Sequence, residues 1–269
     1  MRNIAPLNKI TGVAAGGTVS LTLPVNLTYD KVHFEYSGVT PAQIKNLKVE
    51  LNGRTLTEYA TLQDLLNENT YYNREVVAGF ATMHFTRSEI KSSKQPQLVE
   101  QRFFGLGTAG LSLCQIKFDI DESAASPAIK AYAEKSASTA PGWLFKRRSF
   151  RYNFSAGVNE VENIPRPNGA YIALIEIKKA GVKSAEFLIN NVKWREHIPK
   201  ALHNAILEQN ERIVISNTHS IDLMLDGDVF GCLMLDPAIN DMRLRVDCDV
   251  EGQAEIVVHY FDNFAQSSF

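Results

Sequence analysis

Cysteine is scarce in this sequence and odd in number: Cys114, Cys232 and Cys248 are the only three in 269 residues. Each lies in an apolar or alternating run far from the others. A disulfide framework is therefore not expected, and the thiols read as single buried side chains of a protein folded in a reducing cytoplasm. Long apolar runs are missing too. No stretch approaches the roughly 20 apolar residues that span a bilayer. The N-terminus, Met1-Arg2-Asn3-Ile4-Ala5-Pro6, lacks the apolar segment of about 7–15 residues that a signal peptide needs. Charge of one sign is not in excess either: 28 Lys and Arg stand against 30 Asp and Glu, a net charge of -2. That balance gives no overall attraction to nucleic acid or to anionic membrane, so no specific nucleic-acid partner is expected.

Catalytic signatures are equally sparse. A literal G-x-G-x-x-G occurs at Gly105, Gly107 and Gly110, the spacing that cradles a pyrophosphate when it opens a helix. Here Leu111 to Ile120 alternates as a strand, so no helix N-terminus meets the phosphate, and the glycines read as shaping a loop. His33, His84, His197, His203, His219 and His259 are scattered, without zinc spacing, and each reads as a strand-face or surface residue. No G-x-S-x-G nucleophile elbow exists. No residue is thus assigned a catalytic or cofactor-binding role, and an enzyme is not expected.

Two clusters stay open. Asp119, Asp121 and Glu122, and separately Asp226 and Asp228, are either solvated strand ends or short oxygen ligands for structural calcium between subunits. No metal ligand is assigned from them. Lys146-Arg147-Arg148 with Arg151, interleaved with Trp143, Phe145, Phe150 and Phe154, would suit stacked bases or lipid phosphates. A strand with aromatics turned inward and cations turned outward gives the same string.

What the sequence has in quantity is alternation. Val19/Leu21/Leu23, Val32/Phe34/Tyr36, Leu47/Val49/Leu51, Ile116/Phe118/Ile120, Ile221/Leu223/Leu225, Met242/Leu244/Val246/Cys248 and Ile256/Val258/Tyr260 all repeat with a period of two, which means half-buried strands. Most of these runs end in turn residues such as Gly38 with Pro41, Asn52-Gly53, Asp226-Gly227-Asp228 and Glu251-Gly252. Helical pattern is confined to connections. Thr61 predicts an N-cap with Asp64 as its acidic partner, Ser123 to Lys135 is Ala-rich enough for a helix, and Trp194 to Asn210 carries one apolar face that Pro199 should kink or restart.

The two halves also resemble each other. Ala15-Gly16 with Ala156-Gly157, Leu23-Pro24 with Ile164-Pro165, and Leu66/Asn69 with Leu207/Asn210 are all 141 positions apart. Between these anchors Tyr29 answers Tyr171, Gly38-Val39 answers Gly181-Val182, and Asn52-Gly53 answers Asn190-Asn191. The expected architecture is mainly β, a tandem double jelly-roll of two eight-stranded antiparallel sandwiches: residues 1–122, a linker over 123–142, and residues 143–269. A tandem sandwich would also suit a carbohydrate-binding module, the alternative function.

Particular strings resemble a known family. Tyr36-Ser37-Gly38-Val39-Thr40-Pro41 with Gln43-Ile44-Lys45-Asn46, Leu106-Gly107-Thr108 leading to Lys117-Phe118-Asp119-Ile120-Asp121-Glu122, Thr139-Ala140-Pro141 and Gln253-Ala254-Glu255-Ile256 look like the major capsid protein of the corticoviruses, tailless icosahedral marine bacteriophages with an internal membrane. The resemblance implies a structural subunit made in the cytoplasm of a bacterial host and placed in the virion. It implies a homotrimer whose six barrels form a pseudo-hexagonal capsomer, contacts with neighbouring capsomers and with minor capsid and vertex proteins, and an underlying viral membrane. It also implies calcium in the virion, with no ligand carried over to a residue. The resemblance carries least for the loop from Ser88 to Gln97, read as a variable surface loop, and for the region from Ser149 to Asn163.

Overall fold

The alternating runs form strands whose order along the chain occurs twice. The computed structural model describes residues 2–91 and 101–265, and the chain divides into two units: Met1–Arg147 with Asn263–Ala265 in the first, Arg148–Asp262 in the second. The first unit contains β1 (Asn3–Pro6), β2 (Ile10–Thr11), β3 (Thr18–Thr22), β4 (Thr28–Ser37), β5 (Ile44–Leu51), β6 (Arg54–Thr61), helix α1 (Leu62–Tyr71), β7 (Phe80–His84), β8 (Leu106–Gly107), β9 (Cys114–Ile120) and β10 (Ala128–Ser136). Strand β11 (Trp143–Phe154) carries the chain from the first unit into the second. There follow β12 (Gly157–Val161), β13 (Tyr171–Lys178), β14 (Val182–Ile189), β15 (Val192–Arg195), α2 (Lys200–Gln209), β16 (Thr218–Asp222), β17 (Leu233–Met234), β18 (Met242–Cys248) and β19 (Gly252–Asn263).

Setting aside the short strands β2, β8 and β17, each unit has eight among the described residues. In the first unit the sheets run β1-β10-β4-β7 and β3-β9-β5-β6; in the second they run β11-β19-β13-β16 and β12-β18-β14-β15. Numbered within its own unit, the order is 1-8-3-6 in one sheet and 2-7-4-5 in the other, both times, with a helix between the fifth and sixth strands. This is jelly-roll connectivity. Each unit has its own apolar interior: Val19, Leu21, Val32, Phe34, Val49, Ile116 and Phe118 belong to the first, Ile175, Phe187, Leu244, Val246, Ile256 and Val258 to the second.

Local chemistry explains the elements and fixes the true register of the repeat. At α1, the Thr61 hydroxyl accepts from the Asp64 amide while the Asp64 carboxylate accepts from the Thr61 amide, the capping box expected from the sequence. The β5–β6 hairpin pairs Val49 with Thr57 and Glu50 with Thr55, leaving Leu56 as the extra residue of a β-bulge. The β14–β15 hairpin pairs Phe187 with Arg195 and Leu188 with Lys193, leaving Trp194 in the same role. Both hairpins turn through left-handed pairs, Asn52-Gly53 at φ 49° and 78° and Asn190-Asn191 at 49° and 64°, which a two-residue turn matching strand twist requires. The Asn52 side chain accepts from the amides of Ser112 and Leu113, and the Asn190 side chain accepts from those of Asn240 and Asp241. After each helix a left-handed residue, Asn73 or Glu211, precedes an arginine, Arg74 or Arg212, whose amide closes back on Asn69 or Leu207. These equivalences are 138 residues apart. Leu23-Pro24 and Ile164-Pro165 do follow equivalent strands at the expected 141, but Leu66/Asn69 and Leu207/Asn210 sit three positions out of step on their helices, because the connections between anchors differ in length.

Asn190→Ala is expected to lower stability by about 2 kcal/mol, since alanine is strained at positive φ and two loop amides lose their acceptor. Thermal unfolding measures this, and Asn52→Ala should behave alike.

Three expectations are corrected. Ser123 to Lys135 is not helical: Ala128–Ser136 is β10, paired on both sides by β1 and β4. Its Ile129, Ala131 and Ala133 face the core with strand period, and pairing on both edges overrides the helix propensity of alanine. The span expected as a linker therefore holds the eighth strand of the first barrel. The run Ile221/Leu223/Leu225 stops as a strand at Asp222, whose carboxylate takes the Met224 amide. Trp194 is on a strand, and the helix begins only after Pro199. Ser149 to Asn163 is mostly β11 and β12, whereas the Ser88 to Gln97 loop runs into residues outside those described.

Candidate functional site

Most members of the chemistry-bearing clusters found in the sequence are engaged within the chain, while Glu122 and Arg151 are exposed. In the first unit, Asp119 accepts from the Thr18 hydroxyl and the Asn46 amide, both at 2.8 Å, and these donors lower its pKa. Asp121 is held by the Lys45 ammonium and by Ser123, which lower its pKa strongly. In the second unit, Asp226 accepts from the Asp228 amide and Asp228 from the Phe230 amide, so both shape a turn. No group of three or more His, Cys, Asp or Glu side chains placed to share a metal ion occurs among the described residues.

The basic string is not an open cationic face. Lys146 and Arg147 are buried, against the expectation that its cations turn outward. Arg147 donates to the Glu58 carbonyl at 2.6 Å and lies 4.7 Å from the Tyr59 ring centroid, where a guanidinium is stabilised by the ring face. The glycine triplet opens no helix: Gly107 lies on β8, where a Cβ would come within 2.4 Å of the Ala140 carbonyl oxygen, while a Cβ on Gly110 would meet nothing within 4 Å. All three cysteines are free and buried, and burial pushes the Cys114 thiol up to about 12, so it is inert as a nucleophile.

Two charged constellations escaped the sequence reading because their members are far apart in the chain. In the first unit Glu68, Arg74, Arg87 and Glu89 form a buried network. Arg87 meets Glu89 at 2.5 Å and Glu68 at 3.4 Å, and Arg74 meets Glu89 at 2.8 Å. Tyr59 donates to Glu68 at 2.9 Å, and the Arg87 guanidinium stands 3.6 Å from the Phe145 centroid. Burial alone would raise the Glu89 pKa, but Arg74 and Arg87 outweigh it and hold it at about 2. In the second unit Arg212, the counterpart of Arg74, bonds Asp222 at 2.8 Å. Beside α2, the His203 and His219 rings stack at 4.0 Å, and Arg195 donates to His203 Nδ1 at 2.9 Å. Burial lowers both, helped by Arg195 at His203 and by His203 at His219, to about 4 and about 3. His219 is a strand residue on β16 as expected, whereas His203 lies buried on α2 and is neither a surface nor a strand-face residue; the residue spacing carried no sign of the stack.

One arrangement has the outline of a hydrolytic triad. Ser184 Oγ lies 2.8 Å from His197 Nδ1, and His197 Nε2 is 3.8 Å from Glu186, beside a groove of about 650 Å³ lined by Val182, Lys183, Ile198 and Lys200. The second distance is too long for a hydrogen bond, and Glu186 is bound instead by Lys193 at 2.9 Å. A histidine so placed cannot be oriented by the acid as acyl transfer demands.

Two tandem jelly rolls of the same connectivity are the architecture of the double jelly-roll coat class. The viral coat protein P2 N-terminal domain matches residues 4–136 and the viral coat protein P2 C-terminal domain matches residues 144–264, and the chain belongs to that family. It is 48% identical over all 269 residues, and over the whole of the relative, to the major capsid protein P2 of Pseudoalteromonas phage PM2. The crystal structure of that protein from bacteriophage PM2 superposes with a TM-score of 0.98 over 100% of both chains. The fold extends to the STIV major capsid protein (TM-score 0.69, 9% identity, 97% of this chain and 96% of that one) and to the PBCV-1 virus capsid (0.66, 10%, 97% and 93%). The protein is a structural component of a virion shell and not an enzyme; a carbohydrate-binding module finds no support in these matches.

Proposed function

We propose that this chain is the major building block of an icosahedral bacteriophage shell and that its working unit is a homotrimer. The observation that carries the reading is the repeated 1-8-3-6 and 2-7-4-5 connectivity. Two like barrels per chain, taken three times about an axis, present six similar walls, the shape that tiles a facet with hexagonal neighbours. Neighbouring capsomers, minor capsid and vertex proteins then border the trimer, and its base stands over an internal membrane. No helix among the described residues is long and apolar enough to cross that membrane. Calcium has a place in this reading only between copies, where carboxylates from two chains complete a ligand set.

Light scattering on the purified chain is expected to give a mass near three times the 30.0 kDa of one subunit. A single-subunit mass at every concentration would sink the proposal.

A further inference from the structure

The two barrels differ at one edge. In the first, the outer side of β6 is covered: Arg147 pairs in parallel with Thr57, and Leu144, Phe145, Lys146 and Arg147 of the covering stretch are all buried. Leu144 joins the same apolar cluster as the bulge residue Leu56, which is 3% exposed. In the second barrel the equivalent strand is β15. Among the described residues β14 is the one strand paired with it, and it ends its sheet. Its bulge residue, Trp194, is 58% exposed, and Val192 beside it 60%. Leu202, near the start of α2, is also exposed.

A bare sheet edge carrying an indole is a liability in a protein made in quantity, and tryptophan is the side chain most enriched among residues that dominate interfaces. The duplicate shows what such an edge takes: the stretch that leads into the next barrel of the chain. We propose that a second copy of this chain covers β15 as residues 143–147 cover β6, with Trp194 as the anchoring side chain. The inference rests on the trimer reading and deepens it. The covering surface is not β15 itself, so the contact is head-to-tail, and such contacts terminate without free ends only by closing into a ring.

The chain has two tryptophans, Trp143 and Trp194, so Trp143→Phe leaves one indole to follow. In the associated protein its emission is expected at short wavelength and shielded from acrylamide, shifting red and losing its shield on dilution to monomer. Trp194→Asp is expected to raise the half-dissociation concentration about 30-fold or more, with the unfolding temperature of the monomer unchanged because the indole is exposed there. Trp194→Ala should act in the same direction. A trimer in which Trp194 is quenched like free indole, or a Trp194→Asp protein that associates like wild type, overturns this inference and leaves the trimer standing. An indole shielded in the monomer also overturns it, since the chain would then cover its own edge. A chain monomeric at every concentration overturns both.

Discussion

Arg87→Met is expected to destabilise the first barrel by about 3–5 kcal/mol, the cost of removing one partner from a buried ion network. Arg87 is 0% exposed and stands between Glu68 and Glu89. Without it, Arg74 remains as the counter-charge for two buried carboxylates, at 3.9 Å from Glu68 and 2.8 Å from Glu89. Methionine fills much of the volume and keeps a contact with the Phe145 ring, so the loss reports charge more than packing. Urea unfolding of the variant, followed in the first barrel, measures it; a loss under 1 kcal/mol would show that the network is not the closed cluster described. Arg87→Met combined with Glu89→Leu should recover much of the loss, because replacing a buried pair by apolar side chains costs far less than breaking it.

The second large effect is acid sensitivity of the second barrel. His203 and His219 are held at about 4 and about 3, below the ordinary histidine value of about 6.5. Below that value the unfolded chain binds protons that the folded chain refuses, so stability rises with pH across this window. The contribution is complete above about pH 6.5 and is lost as pH falls toward the folded values, amounting to several kcal/mol, on the order of 1.4 per pKa unit. Glu89 acts in a lower window. Its carboxyl is depressed, so its contribution is complete above about pH 4.5 and is lost as pH falls toward about 2. Thermal unfolding between pH 7 and pH 4.5 therefore separates the histidines from Glu89; His84 in the first barrel, lowered by burial and by Arg74, costs stability in the same window, so the pair is read from the difference between wild type and a double variant. His203→Phe with His219→Phe, which keeps an aromatic stack, is expected to flatten that slope. An unchanged slope in the double variant would mean that other groups set it.

Much of the fold was legible from local chemistry. The strand runs at Val19, Val32, Leu47, Ile116 and Met242 were visible because one face of each strand is buried and the other is less so, which writes a period of two into the residues; the run at Ile256 is buried on both faces and was visible through its apolar content. Thr61 with Asp64 was visible because a capping box lies within four consecutive positions. The repeat was visible through Pro24 and Pro165 and through the Asn-rich turns, because left-handed backbone admits few residue types. β10 was misread because its alanines are small enough for either element and only the flanking β1 and β4 decide between them.

The polar clusters lay beyond reach for a different reason. Glu68 and Arg87, His203 and His219, and Arg212 and Asp222 each meet across gaps that no motif spans. Burial of the same string can also invert its meaning, as it does for Lys146 and Arg147. By itself the sequence determined a tandem, mainly-β coat subunit, since periodicity, turn residues and family resemblance are all written locally. Only the tertiary structure decided which edge is covered and which is bare. Leu56 and Trp194 occupy the same bulge on equivalent strands, and the difference between them lies in whether another stretch of chain closes over the edge.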